Sequence, residues 1–160
     1  PCRNRESLFR TTGLRRGLMN KPRILLADDH PEMMNVVEQE ASKIASIVGV
    51  VHDGVALLHA AQALKPDLIL LDIAMPRMNG FEAARQLFAS MPDMRIIFLT
   101  VHDRPSYVAE AFRLGGMGYV LKRSAGELPD AIDRVMRGQR FLSSTLRSVH
   151  PEVLTTDAGN

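Results

Sequence analysis

Residues 24–30 read Ile24-Leu25-Leu26-Ala27-Asp28-Asp29-His30, ILLADDH, an apolar run that stops abruptly on two adjacent carboxylates. Apolar residues in succession, without polar alternation, describe a strand covered on both faces, the condition of a parallel sheet sandwiched between helices. Neighbouring like charges repel, so two acids at the end of such a strand call for a compensating cation. The pattern recurs along the chain. Strands are expected at Ile24 to Ala27, Ile47 to Val51, Leu68 to Leu71, Ile96 to Leu99 and Gly118 to Leu121.

Between these runs lie segments of helical period. In the last of them Leu128, Ala131, Ile132, Val135 and Met136 recur at spacings of three and four. Ser124 and Glu127 ahead of it have capping-box spacing, and Gly138 is placed to end it. Pro31 and Pro105 fall where the first turns of two other helices begin, and Asp53 reads as a helix N-cap. Gly115-Gly116-Met117-Gly118 reads as a helix stop and turn, since it precedes a strand rather than joining a strand to a helix. Strands alternating with helices imply an α/β fold: a doubly wound, five-stranded parallel sheet of flavodoxin-like (βα)5 type, strand order 2-1-3-4-5. Ligands of such sheets bind beyond the carboxyl ends of the strands, where the strand order reverses.

The chain of 160 residues, 46% hydrophobic, supports one domain with a core. Residues 1–22 are expected to be a basic leader, disordered or an artificial extension; 23–138 the folded domain; and 139–160 a linker or tail. The leader carries a net charge of +5 and the remainder −3, so the high pI belongs to the leader. The folded part offers no basic face for nucleic acid. Cys2 alone supplies neither a disulfide framework nor a zinc site, which suits a reducing cytoplasm. No apolar run approaches the roughly 18 residues of a membrane span, so a cytoplasmic protein without membrane contact is expected.

The chemistry-bearing residues fall at the expected strand ends: Asp28 and Asp29 after the first, Asp72 after the third, Thr100 after the fourth and Lys122 after the fifth. If the sheet order holds, the five side chains converge on one rim. An all-oxygen site open to water suits Mg²⁺, or Mn²⁺ in its place, and Mg²⁺ characteristically shares its shell with phosphate oxygens. A carboxylate can be the nucleophile of phosphoryl transfer. Asp72 is the candidate, the single acid on the central strand, followed by the turn-forming Pro76-Arg77-Met78-Asn79-Gly80. Lys122 is suited to neutralise phosphoryl oxygens, and Thr100 to donate a hydrogen bond to one. No general base is needed for attack by a carboxylate, so His30 and His102 are read as loop residues.

From Arg23 to about Arg137 the chain resembles a response-regulator receiver domain of bacterial two-component signalling, through LLADDH, LLDIAMPRMNG, FLT and GYVLK. That resemblance implies that Asp72 is the phosphoacceptor, Asp29 the direct metal ligand and Asp28 a ligand acting largely through water. It implies further that the main-chain carbonyl of Ala74 completes the metal's protein ligands. Thr100 and Lys122 take the family's switch hydroxyl and lysine positions, and Tyr119 its switch aromatic. DDH, GYVLKRS with no proline after the lysine, and AIDRVMRGQRFLSS are similar to the NarL/FixJ-type subgroup, whose receivers precede a LuxR-type helix-turn-helix absent from these 160 residues.

The implied partner is a histidine kinase or phosphotransfer protein, with homodimer formation on phosphorylation and DNA reached only through the output domain. A stand-alone receiver or phosphate sink is the alternative. A phosphatase of the haloacid-dehalogenase type needs a second acid two residues after the nucleophile, and that position is Ala74. The expectation is therefore a signalling phosphoacceptor rather than an enzyme.

Overall fold

The structure is a computed structural model and describes residues 20–155, so the expected basic leader lies almost wholly outside the described residues. One parallel sheet organises the chain, in the order β2-β1-β3-β4-β5-β6. Its strands are β1 (Arg23–Ala27), β2 (Ser46–Val51), β3 (Leu68–Leu71), β4 (Arg95–Thr100), β5 (Gly118–Leu121) and β6 (Phe141–Leu142). The longer helices are α1 (Pro31–Ser42), α2 (Gly54–Leu64), α3 (Gly80–Ser90), α4 (Pro105–Arg113) and α5 (Leu128–Met136). Short helices α6 (Ser144–Arg147) and α7 (Glu152–Thr155) follow β6.

The unbroken apolar runs are explained by two cores, one on each face of the sheet. Leu25, Ala27, Ile69, Leu71 and Phe98 face α2, α3 and α4, whose Leu57, Ala61, Ala83, Leu87, Val108 and Phe112 close that layer. Their strand neighbours Ile24, Leu26, Leu68, Leu70, Ile97 and Leu99 face α1 and α5, where Val37, Ala41, Ala131, Ile132 and Val135 complete the second layer. Alternation thus persists in direction but not in polarity, because both faces are dry. Burying each such Leu or Ile contributes about 2 kcal/mol.

The helix starts follow local chemistry, with one correction. Pro31 and Pro105 occupy the first turns of α1 and α4, and Asp53 caps α2 by accepting from the Ala56 N–H at 2.8 Å. Ser124 and Glu127, however, form no capping box: residues Lys122–Glu127 make a 3₁₀ segment, α5 begins at Leu128, and the Glu127 carboxylate accepts instead from the Ser144 N–H at 3.1 Å. The capping box lies at α3. There Asn79 Oδ1 accepts from the Glu82 N–H at 2.9 Å and Glu82 Oε2 from the Asn79 N–H at 3.1 Å. Gly80 follows because the start of α3 passes directly behind β3: a β-carbon there would lie 2.2 Å from the Asp72 carbonyl oxygen.

The sheet carries a sixth strand beyond the five expected, built from the segment read as a linker. Phe141 and Leu142 pair in parallel with Gly118 and Tyr119, and both are buried. The row of donors and acceptors on β5 that would otherwise be unpaired is thereby satisfied. Phe141 N–H donates to the Met117 carbonyl and Ser143 N–H to the Tyr119 carbonyl, each at 2.9 Å. Fully buried Ser143 then accepts the Leu121 N–H on its hydroxyl at 2.9 Å. Ser143→Ala would leave that N–H buried and unpaired, and chemical denaturation should register a loss of about 1–2 kcal/mol.

Candidate functional site

The register of the sheet brings the expected strand-end residues to one rim. β1 and β3 are neighbours, with β2 beyond β1 and β4 beyond β3, so Asp28 and Asp72 leave adjacent strands at the point where the order reverses. Both carboxylates are buried, at 1% and 2% exposure, and Lys122 beside them is 3% exposed. The lysine Nζ lies 2.8 Å from Asp28 Oδ2 and 3.1 Å from Asp72 Oδ2, an ammonium held between two carboxylates. The Ala74 N–H approaches Asp72 Oδ1 at 3.3 Å, keeping that exposed residue beside the carboxylate.

His30, expected to be a loop residue, belongs to this cluster. Its Nδ1 lies 2.9 Å from Asp28 Oδ1, 3.0 Å from Asp29 Oδ1, 3.3 Å from Asp72 Oδ2 and 3.2 Å from Lys122 Nζ. The signal was in the sequence. A residue before proline is confined to extended backbone, and His30, with φ −103° and ψ 95°, takes that conformation at the start of α1. Its own N–H then donates to Asp28 Oδ1 at 2.9 Å, and this short-range turn folds the ring back over the carboxylates. His52 braces the same loop, its Nδ1 3.0 Å from the Asp28 carbonyl oxygen.

The charges do not balance evenly. Burial alone would raise the Asp28 carboxyl, but hydrogen bonds from Lys122 and His30 outweigh it and hold the group below the ordinary carboxylate range. Asp72 goes the other way: burial and the nearby Asp28 charge push it up, more than Lys122 pulls it down. The hydrogen bond to Asp28 raises the His30 imidazolium. Asp28, Asp29, His30 and Asp72 each present a ligand atom, all within 4.8 Å of one another. Asp29 Oδ1 is buried yet accepts no hydrogen bond, and Asp28 Oδ2 is met only by the Lys122 ammonium at 2.8 Å. Three clustered carboxylates, one with a buried oxygen that accepts no hydrogen bond, offer the hard oxygen donors a divalent cation takes, so the residues fit a metal of that class.

Thr100 and Tyr119 stand on the same side of the sheet but are engaged with the loop after β4. Buried Thr100 accepts the His102 N–H on Oγ1 at 3.2 Å. Tyr119 is fully buried, and its hydroxyl donates to the His102 carbonyl at 2.6 Å. Burial lifts the Tyr119 phenol well above its ordinary value, which keeps it a donor. The His102 ring stacks on Tyr107 of α4, centroids 4.6 Å apart and 7° from parallel. The Tyr119 ring, in the switch-aromatic position, lies inside the fold in this structure.

Among the described residues no helix is long and apolar enough to cross a membrane. Over residues 24–133 the chain matches the family described as the response regulator receiver domain. The transcriptional regulatory protein YxjL of Bacillus subtilis is 37% identical over 123 residues, covering 75% of this chain and 56% of that protein. The nitrate/nitrite response regulator protein NarL of Escherichia coli is 37% identical over 129 residues, covering 79% and 60%. A solved two-component response regulator of the LuxR family from an Aurantimonas species superposes with a TM-score of 0.78 at 26% identity, covering 83% of this chain and 97% of that one. The chain spans between about half and two thirds of the length of the curated relatives it matches.

Proposed function

The chain belongs to the response regulator receiver domain family and is related to regulators of the NarL and LuxR type; from that premise we propose that Asp72 accepts a phosphoryl group from a phosphohistidine donor. The observation that carries this reading is the buried Asp72 carboxylate at the end of the central strand, 3.1 Å from the Lys122 ammonium and grouped with Asp28 and Asp29.

An Asp72 oxygen attacks phosphorus in line, a P–O bond forms as the P–N bond breaks, and the donor imidazole leaves and takes up a proton. Lys122 is already oriented toward the carboxylate, so it meets the arriving phosphoryl oxygens without reorganising. Asp29, Asp72 and the Ala74 carbonyl would hold Mg²⁺, with Asp28 acting through water, and the bound ion would supply charge neutralisation at the phosphoryl group. The division of roles between the two N-terminal acids has local support. Asp28 is 1% exposed and its oxygens are occupied by His30 and Lys122, whereas Asp29 is 32% exposed and its Oδ1 is free of hydrogen bonds.

Thr100, which accepts the His102 N–H, turns to donate its own hydroxyl to a phosphoryl oxygen, and the loop from Val101 to Arg104 follows. That loop carries the carbonyl which holds Tyr119 and the ring which stacks on α4, so a local charge change biases the surface of α4, β5 and α5. The phosphoryl group stays on the chain until water removes it, which makes this a signalling protein and not an enzyme with turnover. Ala74 supplies no second acid to hasten that hydrolysis. YxjL is named as a transcriptional regulatory protein, and we extend that output to this protein, through dimerisation or release of a DNA-binding domain in the cytoplasm.

Incubation with Mg²⁺ and a small acyl phosphate should add one acid-stable, base-labile phosphoryl group, and chelation of divalent ions should abolish the uptake. Asp29→Asn should weaken Mg²⁺ binding by about tenfold or more, and Asp28→Asn by less. Equal Mg²⁺ titrations of the two variants would contradict the separation of roles.

A further inference from the structure

We infer that His30 is itself a ligand of the cation site, making the centre of this receiver a mixed nitrogen and oxygen site that favours borderline transition divalents over Mg²⁺. The inference rests on the reading of Asp28, Asp29 and Asp72 as a cation site. Nδ1 of His30 stands 2.9, 3.0 and 3.3 Å from one oxygen of each of the three acids. Cis ligands around an octahedral ion with bonds of about 2.1 Å are separated by about 3 Å, the bond length multiplied by √2. The imidazole nitrogen is therefore spaced from each acid as a neighbouring corner of one coordination shell would be, and the four donor atoms all lie within 4.8 Å of one another.

Hydrogen bonding alone leaves the arrangement incomplete. A single Nδ1–H satisfies one acceptor, which is Asp28 Oδ1, while Asp29 Oδ1 stays buried and without a hydrogen bond only 3.0 Å away. The ring is also pre-set. Pro31 holds the His30 backbone extended, the His30 N–H is tied to Asp28 Oδ1, and His52 holds the Asp28 carbonyl. The ring is thus held from its backbone side, which leaves Nδ1 directed at the three carboxylates. Half of the His30 side chain, 52%, is exposed, so an ion arriving with its waters meets the imidazole from the solvent side.

An imidazole nitrogen adds little for Mg²⁺, whose preference is for hard oxygen, but strengthens binding along the series from Mn²⁺ to Ni²⁺ and Cu²⁺. His30 is thus a specificity-determining residue. It does not decide whether the rim binds a cation, which the acids do, but which cation the rim holds most tightly.

The test is calorimetric titration of the full chain with Ni²⁺ and, separately, Mg²⁺, for the parent, His30→Ala and His30→Gln, with circular dichroism to verify the fold. Ni²⁺ affinity should fall by about tenfold or more in both variants, while Mg²⁺ affinity changes by less than about threefold. The Co²⁺ absorption spectrum of the parent should lose its nitrogen contribution in the same variants. His52, His59 and His150 are common to all three chains, so the difference reports His30 alone. Equal Ni²⁺ affinity in parent and variants overturns the inference and leaves the Mg²⁺ reading standing. If Asp29→Asn and Asp72→Asn leave binding of both ions unchanged, the cation site itself is wrong, and His30 falls with it.

Discussion

Asp72→Asn should reduce phosphoryl uptake by at least about a hundredfold and, in the absence of divalent ions, should raise thermal stability. The first effect follows from removing the nucleophile. Any labelling that persisted with unchanged rate would place the acceptor elsewhere. The second follows from the cost of crowding carboxylates. Asp72 is 2% exposed, and its group is raised by burial and by Asp28. A carboxylate with a raised folded-state pKa stabilises the fold in acid and loses that contribution as pH rises through the folded value. At neutral pH its charge is therefore a cost, and Asn removes it. The gain should be about 1 kcal/mol, roughly 3–5 °C in Tm, and should vanish below the ordinary carboxylate value of 3.8. An Asn variant less stable than its parent in metal-free neutral buffer would contradict this account of the site.

The opposite substitution sign belongs to Lys122. Its ammonium lies 2.8 Å from Asp28 and 3.1 Å from Asp72, with all three groups at least 97% buried. Lys122→Met keeps the apolar stem and deletes the charge, leaving two buried acids without their cation. Removing one partner of such a cluster costs about 3 kcal/mol. A divalent ion binds only the folded protein, so millimolar Mg²⁺ should return part of that loss by linkage. Urea denaturation of the Met variant with Mg²⁺ and with chelator separates the two contributions. A variant as stable as its parent in chelator would mean that Lys122 does not compensate the carboxylates. Phosphoryl uptake by this variant should also fall, since the charge that meets the phosphoryl oxygens is gone.

That the strands are buried on both faces was legible because runs such as Leu68 to Leu71 have no polar residue to turn toward water, and with helices alternating between them this describes a parallel sheet covered by helices. The rim was legible for the complementary reason: polarity returns abruptly at Asp28, Asp72, Thr100 and Lys122, each at the end of a buried strand. What escaped the sequence reading depends on short segments and on where side chains turn. Phe141 and Leu142 are too few to show a period, and their strand exists because β5 needs a partner on its outer side. Glu127 had the spacing of a capping residue, yet the Ser144 N–H, seventeen residues on, competes for its carboxylate. The His30 ring is placed by Pro31 and by a two-residue hydrogen-bonded turn, which composition and periodicity do not weigh.

The sixth strand also governs how two copies could meet. A receiver sheet ending on β5 would present a bare template along which a second chain could add by main-chain pairing, indifferent to ionic strength. With Phe141 and Leu142 seated there, that route is closed beside Gly118 and Tyr119. The helix surfaces on either side carry Glu110 with Arg85 and Arg113 on one flank, and Asp130 with Arg134 and Asp133 with Arg137 on the other. An assembly formed across those exposed ion pairs would loosen as salt is added, on the scale of a Debye length of about 10 Å at 0.1 M.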